Sequence, residues 1–449
     1  MRRLLLIWPR TRDFPIYERL VPTLTIPYLA GLTPADWTVE FADDNYGEVR
    51  LDGGWDLVGI SVNTMSALRS YALADAFRAR GVPVVLGGWH VTFCPDEAAA
   101  HADAVVVGEA DDVWAGLLAD FGRGRLAPRY VSRNDTDLAR YPVPRRDLLA
   151  GRRYATLNLV QATRGCPYRC SFCSVTTVNP KYRRRPIADV TAELAALPGR
   201  RAFFIDDNLF IHPRYTRALF EALIPLGKRW IGEASIDLAD DPELLDLAVR
   251  SGMRGLLVGF ESIIPDSLRE MNKHRTNVAV RYREQIHRLQ RAGVGVLAMF
   301  TFGFDHDTPD VFRETLAFCE DADLFCASFG VLTPFPGTPV FQRLEAQGRI
   351  RTRDWRLYDL QHLVHELPGW APGALEAGVQ WLEERFYAPA AIARRMVALR
   401  RFPKLLRPTG LYLHALVNLQ YAATIRRRRR GLAVNTAGLS HAEPVSAAS

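Results

Sequence analysis

No run of 18 apolar residues occurs in the chain, so the pattern offers no membrane-spanning helix. Six cysteines in 449 residues are too few for the disulfide framework of a small secreted scaffold. No G-x-G-x-x-G follows the first apolar segment, which argues against a nicotinamide-dinucleotide site. Acidic residues are absent between positions 388 and 430, where eleven Lys and Arg fall; the remaining chain carries 46 basic against 50 acidic residues. The net charge of +7 is therefore one local feature on a mildly acidic body, and no nucleic-acid surface is expected. The opening MRRLLLIWPR has an apolar run, Leu4–Trp8, that is short for a signal peptide and reads as a first buried strand. The expected compartment is the cytoplasm.

What is present is ordinary globular material: 48% hydrophobic and 24% charged residues over a length suited to two or three domains. Residues 1–125 alternate short Val/Ile/Leu runs (Arg3–Trp8, Thr38–Ala42, Leu57–Val62, Val82–Leu86, Ala104–Val107) with the helical patterns Ser66–Arg80 and Asp111–Phe121. Strands apolar on both faces, alternating with helices, predict a doubly wound α/β domain. Such sheets bind ligands at the carboxyl ends of their strands. Small and polar residues follow three of these strands: Ser61, Asn63 and Thr64, then Gly87, Gly88 and His90, then Gly108 and Glu109.

Residues 126–153 are rich in Pro and Arg and read as a linker on the surface. A second alternating series over 154–350 predicts strands at 155–162, 202–206, 229–235, 255–260, 295–303 and 325–332, each followed by a helix. Six units instead of eight predict a partial (β/α)6 barrel, with its chemistry on the loops after the strands. Residues 351–430 read as a helical, Trp-containing region with a basic tail, and 431–449 as disordered. Leu411–Ile425 with Arg426–Arg430 reads as a solvated basic terminus or as a helix lying on an anionic membrane surface.

The sharpest motif is Arg164-Gly-Cys166-Pro-Tyr-Arg-Cys170-Ser-Phe-Cys173, directly after the first strand of the second series. Three thiolates on one loop suit three irons of a [4Fe–4S] cluster. A structural zinc site closes with four ligands, and no fourth Cys or His lies nearby in sequence. One iron is thus left open to a substrate or cofactor. Cys94, Cys319 and Cys326 are isolated in sequence and read as small buried hydrophobes.

The CxxxCxxC spacing, with Phe172 before the last cysteine, resembles the radical S-adenosylmethionine (SAM) superfamily. The preceding α/β domain, with its GGWH and VVVGEADDVW segments, and the later FFIDDN, VGFES and TPFPGTP segments resemble the branch with an N-terminal cobalamin-binding domain. That resemblance implies a [4Fe–4S] cluster on Cys166, Cys170 and Cys173, with SAM chelating the open iron. It places Phe172 beside the adenine, Asp207 and Asn208 at the amino end, and Glu233, Ser235 and Glu261 at the ribose or amino group. It places cobalamin at Ser61, Asn63, Thr64, Gly87, Gly88, His90, Gly108 and Glu109. The Asp-x-His-x-x-Gly motif that supplies a lower axial histidine is absent, so His90 is not expected below the cobalt. The implied activity is methyl transfer from SAM, through methylcobalamin, to an unactivated carbon of a small-molecule or lipid precursor. An electron donor such as flavodoxin or ferredoxin is implied with it. A non-methylating radical enzyme (cyclisation, rearrangement, epimerisation or adenosyl addition) and an iron–sulfur electron-transfer protein are the alternatives.

Overall fold

The structure is a computed structural model that describes residues 1–11, 21–152, 154, 156, 158–406, 414, 415 and 417–426. Arg2–Trp8 (β1), Trp37–Asp43 (β2), Leu57–Ser61 (β3), Val84–Gly87 (β4), Ala104–Val107 (β5) and Arg129–Val131 (β6) form one parallel sheet. Its order is β2-β1-β3-β4-β5-β6, which reverses direction between β1 and β3. Alternate side chains enter two different cores. Leu5, Ile7, Val58, Ile60 and Leu86 point to one face, and Leu4, Leu6, Leu57, Val85 and Val106 to the other. Two-sided burial is why these strands read as unbroken apolar runs, each such side chain contributing about 1.5–3 kcal/mol.

The second sheet is also parallel. Leu159–Val160 (β7) is followed by a two-stranded antiparallel ribbon of Thr163–Arg164 (β8) and Arg183–Arg184 (β9). Then come Arg201–Phe204 (β10), Arg229–Glu233 (β11), Met253–Glu261 (β12), Gly295–Phe302 (β13) and Cys326–Val331 (β14). The order β14-β13-β12-β11-β10-β7 is the open six-stranded half-barrel that the alternating pattern predicts. Helices cover its outside, and three of them start on explicit caps: His212 accepts from the Tyr215 N–H, Asp241 from the Leu244 N–H, and Thr338 from the Phe341 N–H.

Two expectations about the connections are refined. The segment 126–153, expected as a linker on the surface, is mostly exposed or half-buried, but it is more than a linker, since it supplies β6 to the first sheet. Leu138 and Leu149 are buried, and Tyr141 packs 4.7 Å from the Tyr28 ring and 3.9 Å from the Arg185 guanidinium. Past β14 the chain returns to the first domain: Phe341, Trp355, Tyr358 and Val364 belong to the core under β3 and β4. Helical residues resume at 414, 415 and 417–426, while the remaining arginine run and the segment 431–449, expected to be disordered, lie outside the described residues. Among the described residues no helix is long and apolar enough to cross a membrane.

Candidate active site

The three cysteines lie on the hairpin closed by the β8–β9 ribbon, whose register pairs Arg164 with Arg183. The hairpin's path is fixed by its backbone. Gly165 has φ +86°, and a Cβ there would stand 2.3 Å from the Lys181 carbonyl oxygen, so only glycine lets the two arms close. Its N–H donates to Asp207 Oδ2 at 2.7 Å, and the Cys166 N–H donates to the Asn179 carbonyl at 3.2 Å. Asp206 is fully buried and accepts from the Ala162 N–H, the Thr163 N–H and the Thr163 hydroxyl. Burial raises its carboxyl to about 7 despite those donors. Asp206 thus anchors the hairpin's entry, while Asp207 reaches its first glycine.

Burial pushes all three thiols up, Cys166 to about 12 and Cys173 to about 11, with Cys170 raised in the same way. Buried thiols become ligands once a metal supplies the positive charge that the protein withholds. Among the described residues, the one set of three ligand atoms lying within 4.8 Å of one another is His90, Cys94 and Glu97, in the other domain. The three hairpin sulfurs do not form such a set.

The ends of β10, β11 and β12 bring further groups beside the hairpin. Asn208 donates from Nδ2 to Ser235 Oγ at 2.7 Å, so these two expected site residues bond to each other. Burial raises Asp207, and raises Glu233 to about 7, with Asp207 and Glu261 adding to the shift at Glu233. Glu261 closes β12 with φ 63°, a strained conformation for a residue with a side chain. Its Oε1 accepts from Lys273 Nζ at 2.6 Å and its Oε2 from the Thr301 hydroxyl at 3.2 Å. Gly259 makes that arrangement possible, because a Cβ there would lie 2.2 Å from Glu261 Oε1 and 2.8 Å from Lys273 Nζ. Phe172 packs edge-on to Phe304 at 6.4 Å, and Lys273 Nζ lies 5.9 Å from its ring centre.

Lys273 is the residue that sequence reasoning missed. Its signal is compositional: Lys181, Lys228, Lys273 and Lys404 are the only lysines among 57 basic residues. A chain that uses arginine almost everywhere has put a compact ammonium beside Glu261 and the cysteines.

The first domain's strand ends are more self-contained. His90 is completely buried, with Nδ1 at 3.3 Å from Thr64 Oγ1 and Nε2 at 3.3 Å from Glu97 Oε1. Glu97 also accepts from Trp355 Nε1 at 2.9 Å, so this network docks the post-barrel segment. Asn63 caps the short turn Thr64–Ser66. Gly88, at φ +105°, is required by its own chain, since a Cβ would meet Val62 N and O at 2.9 and 2.8 Å. At Gly108 a Cβ would meet the Asn134 side chain at 2.5 Å. Glu109 is paired across to the cysteine hairpin: its carboxylate is taken up by Arg183 at 2.5 and 2.7 Å and by Arg164 at 3.3 Å.

The residues fit the implied groups to different degrees. Three thiols without a nearby fourth suit a cluster with an open iron. Asp207, Glu233 and Glu261 share one ammonium, Lys273, and burial holds back the ionisation of Asp207 and Glu233, so a ligand carrying an ammonium and a sulfonium would favour their charged forms. Ser61, Asn63 and Gly87 end strands at one edge of the first sheet, beside the reversal between β1 and β3, where such sheets hold ligands.

Comparison with known proteins agrees with this division. A family described as the radical SAM superfamily matches residues 160–319, and one described as the B12 binding domain matches residues 20–118. Bacteriochlorophyllide d C-12(1)-methyltransferase of Chlorobaculum tepidum is 33% identical over 83% of this chain and 84% of its own length. Bacteriochlorophyllide d C-8(2)-methyltransferase of the same organism is 32% identical over 76% of this chain and 80% of its own. In fold, the chain matches the radical SAM methyltransferase TsrM of Kitasatospora setae, solved with tryptophan and a SAM analogue, at TM-score 0.67 and 18% identity, covering 85% of this chain and 89% of that one. The chain therefore belongs to the cobalamin-dependent radical SAM enzymes, with a [4Fe–4S] cluster, SAM and cobalamin as its cofactors.

Proposed function

We propose that this enzyme transfers a methyl group from SAM to an unactivated carbon of a small-molecule or lipid precursor. The observation that carries the reading is the place of the cysteine hairpin: its stem bonds to the loop after β5, and its first glycine to Asp207 after β10. Groups held at the two sets of strand ends thus meet across one hairpin. When bound, the cluster supplies the electron that cleaves one SAM to methionine and a 5′-deoxyadenosyl radical, and cobalamin carries the methyl group of a second SAM.

In this reading Cys166, Cys170 and Cys173 ligate three irons, and Phe172 covers the adenine. Asp207 and Asn208 receive the amino end of SAM, while Glu233, Ser235 and Glu261 receive the ribose or amino group. Lys273 balances their charge and faces the SAM carboxylate. Ser61, Asn63, Thr64, Gly87, Gly88 and Gly108 form the cobalamin edge, with His90 and Glu109 acting behind it. The cobalamin domain extends from residue 1 through β6, and the barrel runs from 154 to 350. A flavodoxin or ferredoxin supplies the electron in the cytoplasm. The basic tail, Leu411–Ile425 with Arg426–Arg430, is read as a solvated terminus; cosedimentation with phosphatidylglycerol vesicles would instead favour contact with an anionic membrane.

The decisive experiment is anaerobic turnover with trideuteromethyl SAM, hydroxocobalamin, reductant and a small-molecule extract. A labelled product is expected, with 5′-deoxyadenosine and S-adenosylhomocysteine in equal amounts. An unlabelled product with 5′-deoxyadenosine and no S-adenosylhomocysteine would overturn methyl transfer in favour of a rearrangement, cyclisation or adenosyl addition.

A further inference from the structure

The stem of the cysteine hairpin is gripped by the other domain. Arg164 and Arg183 face each other across the β8–β9 ribbon, one on each arm. Arg183 makes a two-pronged contact with Glu109, at 2.7 and 2.5 Å. Arg164 Nη1 lies 3.1 Å from both oxygens of Asp111 and 3.3 Å from Glu109 Oε2. Both carboxylates follow β5 of the first sheet. The four side chains are 12, 11, 7 and 4% exposed (Arg164, Arg183, Glu109, Asp111), and two cations balance two anions. The Tyr28 ring covers the Arg164 guanidinium at 5.0 Å, and its hydroxyl donates to Asp111.

A contact that only glued two domains together could fall anywhere along their interface. Here both arginines belong to the hairpin stem, and Arg164 stands two residues before Cys166. A forked guanidinium–carboxylate pair fixes orientation as well as distance, which a lysine in the same place does not do. The hairpin's turn is held from the opposite side, by the barrel. The Ser171 N–H donates to the Met271 carbonyl at 3.0 Å, the Val340 N–H donates to the Ser171 carbonyl at 2.9 Å, and Asn272 Nδ2 donates to the Arg169 carbonyl at 2.8 Å. The hairpin is thus tied at its stem to the first sheet and at its turn to the second.

We propose that Glu109 and Asp111 are positioning residues: they set where the cysteine hairpin stands relative to the cobalamin edge, so alignment of the two reaction centres depends on these two carboxylates. The hairpin anchoring stands on geometry alone; the alignment rests on the cluster and cobalamin assignments made above, and not on the reaction being methylation.

The test uses full-length Glu109→Gln and Asp111→Asn, purified anaerobically with cluster and cobalamin bound. Hydrogen exchange at amides 163–184 should rise about tenfold or more, with peptides from β12 and β13 unchanged, as expected for a local opening. The relaxation enhancement that cob(II)alamin imposes on the reduced-cluster EPR signal, which depends steeply on their separation, should weaken in the same variants. Arg183→Lys keeps the charge and loses the fork; it should show an intermediate rise in the same segment and serves where the acid variants fail to fold. Parent-like exchange in the hairpin, or acceleration spread evenly over both sheets, would overturn the proposal. So would a loosened hairpin with unchanged relaxation enhancement. These readouts are independent of product identity, so a failure of methyl transfer in the parent enzyme is distinguishable from a failure of this inference.

Discussion

The two parallel sheets handle their strand ends in opposite ways. At the ends of β3, β4 and β5 nearly every distinctive residue is spoken for by its own chain. Gly88 makes room for the Val62 backbone, Gly108 for Asn134, His90 is enclosed by Thr64 and Glu97, and Glu109 is held by arginines. At the ends of β10, β11 and β12 the chain stores what it leaves unbalanced: carboxyls raised by burial at Asp207 and Glu233, a strained Glu261, and one ammonium. The first edge is closed by its own neighbours, whereas the second keeps carboxyls whose ionisation burial holds back. That contrast explains why the residues after β10 and β11 declare themselves electrostatically and the glycines after β4 and β5 do so only by shape.

The contrast can be broken most severely at the hairpin. Alanine at Cys166, Cys170 and Cys173 together should abolish the broad absorbance near 400 nm (roughly, for thiolate-bound clusters) and all 5′-deoxyadenosine. Cluster incorporation surviving that triple change would mean other ligands hold it. Next is Lys273→Met, which strands Glu261 as an uncompensated buried anion. It should cost about 3 kcal/mol of stability and cut SAM cleavage about 100-fold, read by urea unfolding and single-turnover assay. Parent-like cleavage would remove Lys273 from the site.

A matched pair of glycine substitutions sharpens the comparison further. Gly259→Ala pushes on the far ends of two flexible side chains, Glu261 and Lys273, so it should cost about 1 kcal/mol, the low end for an added methyl, and slow SAM cleavage about tenfold. Gly88→Ala pushes on fixed Val62 backbone at positive φ, so it should cost about 1–3 kcal/mol while leaving the cluster spectrum intact. The reverse pattern would erase the distinction between the sheets. The smallest effect is expected from pH. An unfolded glutamate ionises near its ordinary 4.5, whereas Glu233 holds its proton to about 7. Between these values the native state keeps a proton that the unfolded chain has lost, so stability falls as pH rises through the window and levels off above it. Glu233→Gln should therefore be more stable than the parent at pH 8 by on the order of 1–3 kcal/mol, without advantage at pH 4, measured on cofactor-free protein. Equal stability at both values would show that Glu233 is not desolvated.

Most of this architecture is legible in the sequence because burial on both faces writes itself as unbroken Val, Ile and Leu. β1, β3 and β13 are found that way almost to the residue. β6 is not, because Arg-Tyr-Val is too short to carry a pattern and its Val131 is 62% exposed at the sheet edge. The cysteine hairpin is legible from spacing, since three ligands on one loop have few other uses. Lys273 is not, because it stands twelve residues beyond Glu261 in a turn, and only folding brings its ammonium back over β12. Glu109 falls between: its place at a strand end is readable, but its partners arrive from position 164 and position 183, and no local rule names them.

Tyr141 has a consequence for anyone recombining such enzymes. It is wedged against Tyr28 from the first domain and Arg185 from the cysteine hairpin's far side, with Arg164 6.0 Å from its ring. Arg146, a few residues on, bonds to the Leu159 carbonyl and to Glu193. The segment between the two sheets is therefore a shaped keystone, not a splice point. A chimaera joined inside 126–153 would inherit half of each socket and fit neither. A crossover that carries residues 126–185 as one block, together with the acids after β5 that receive it, is the exchange that the architecture permits.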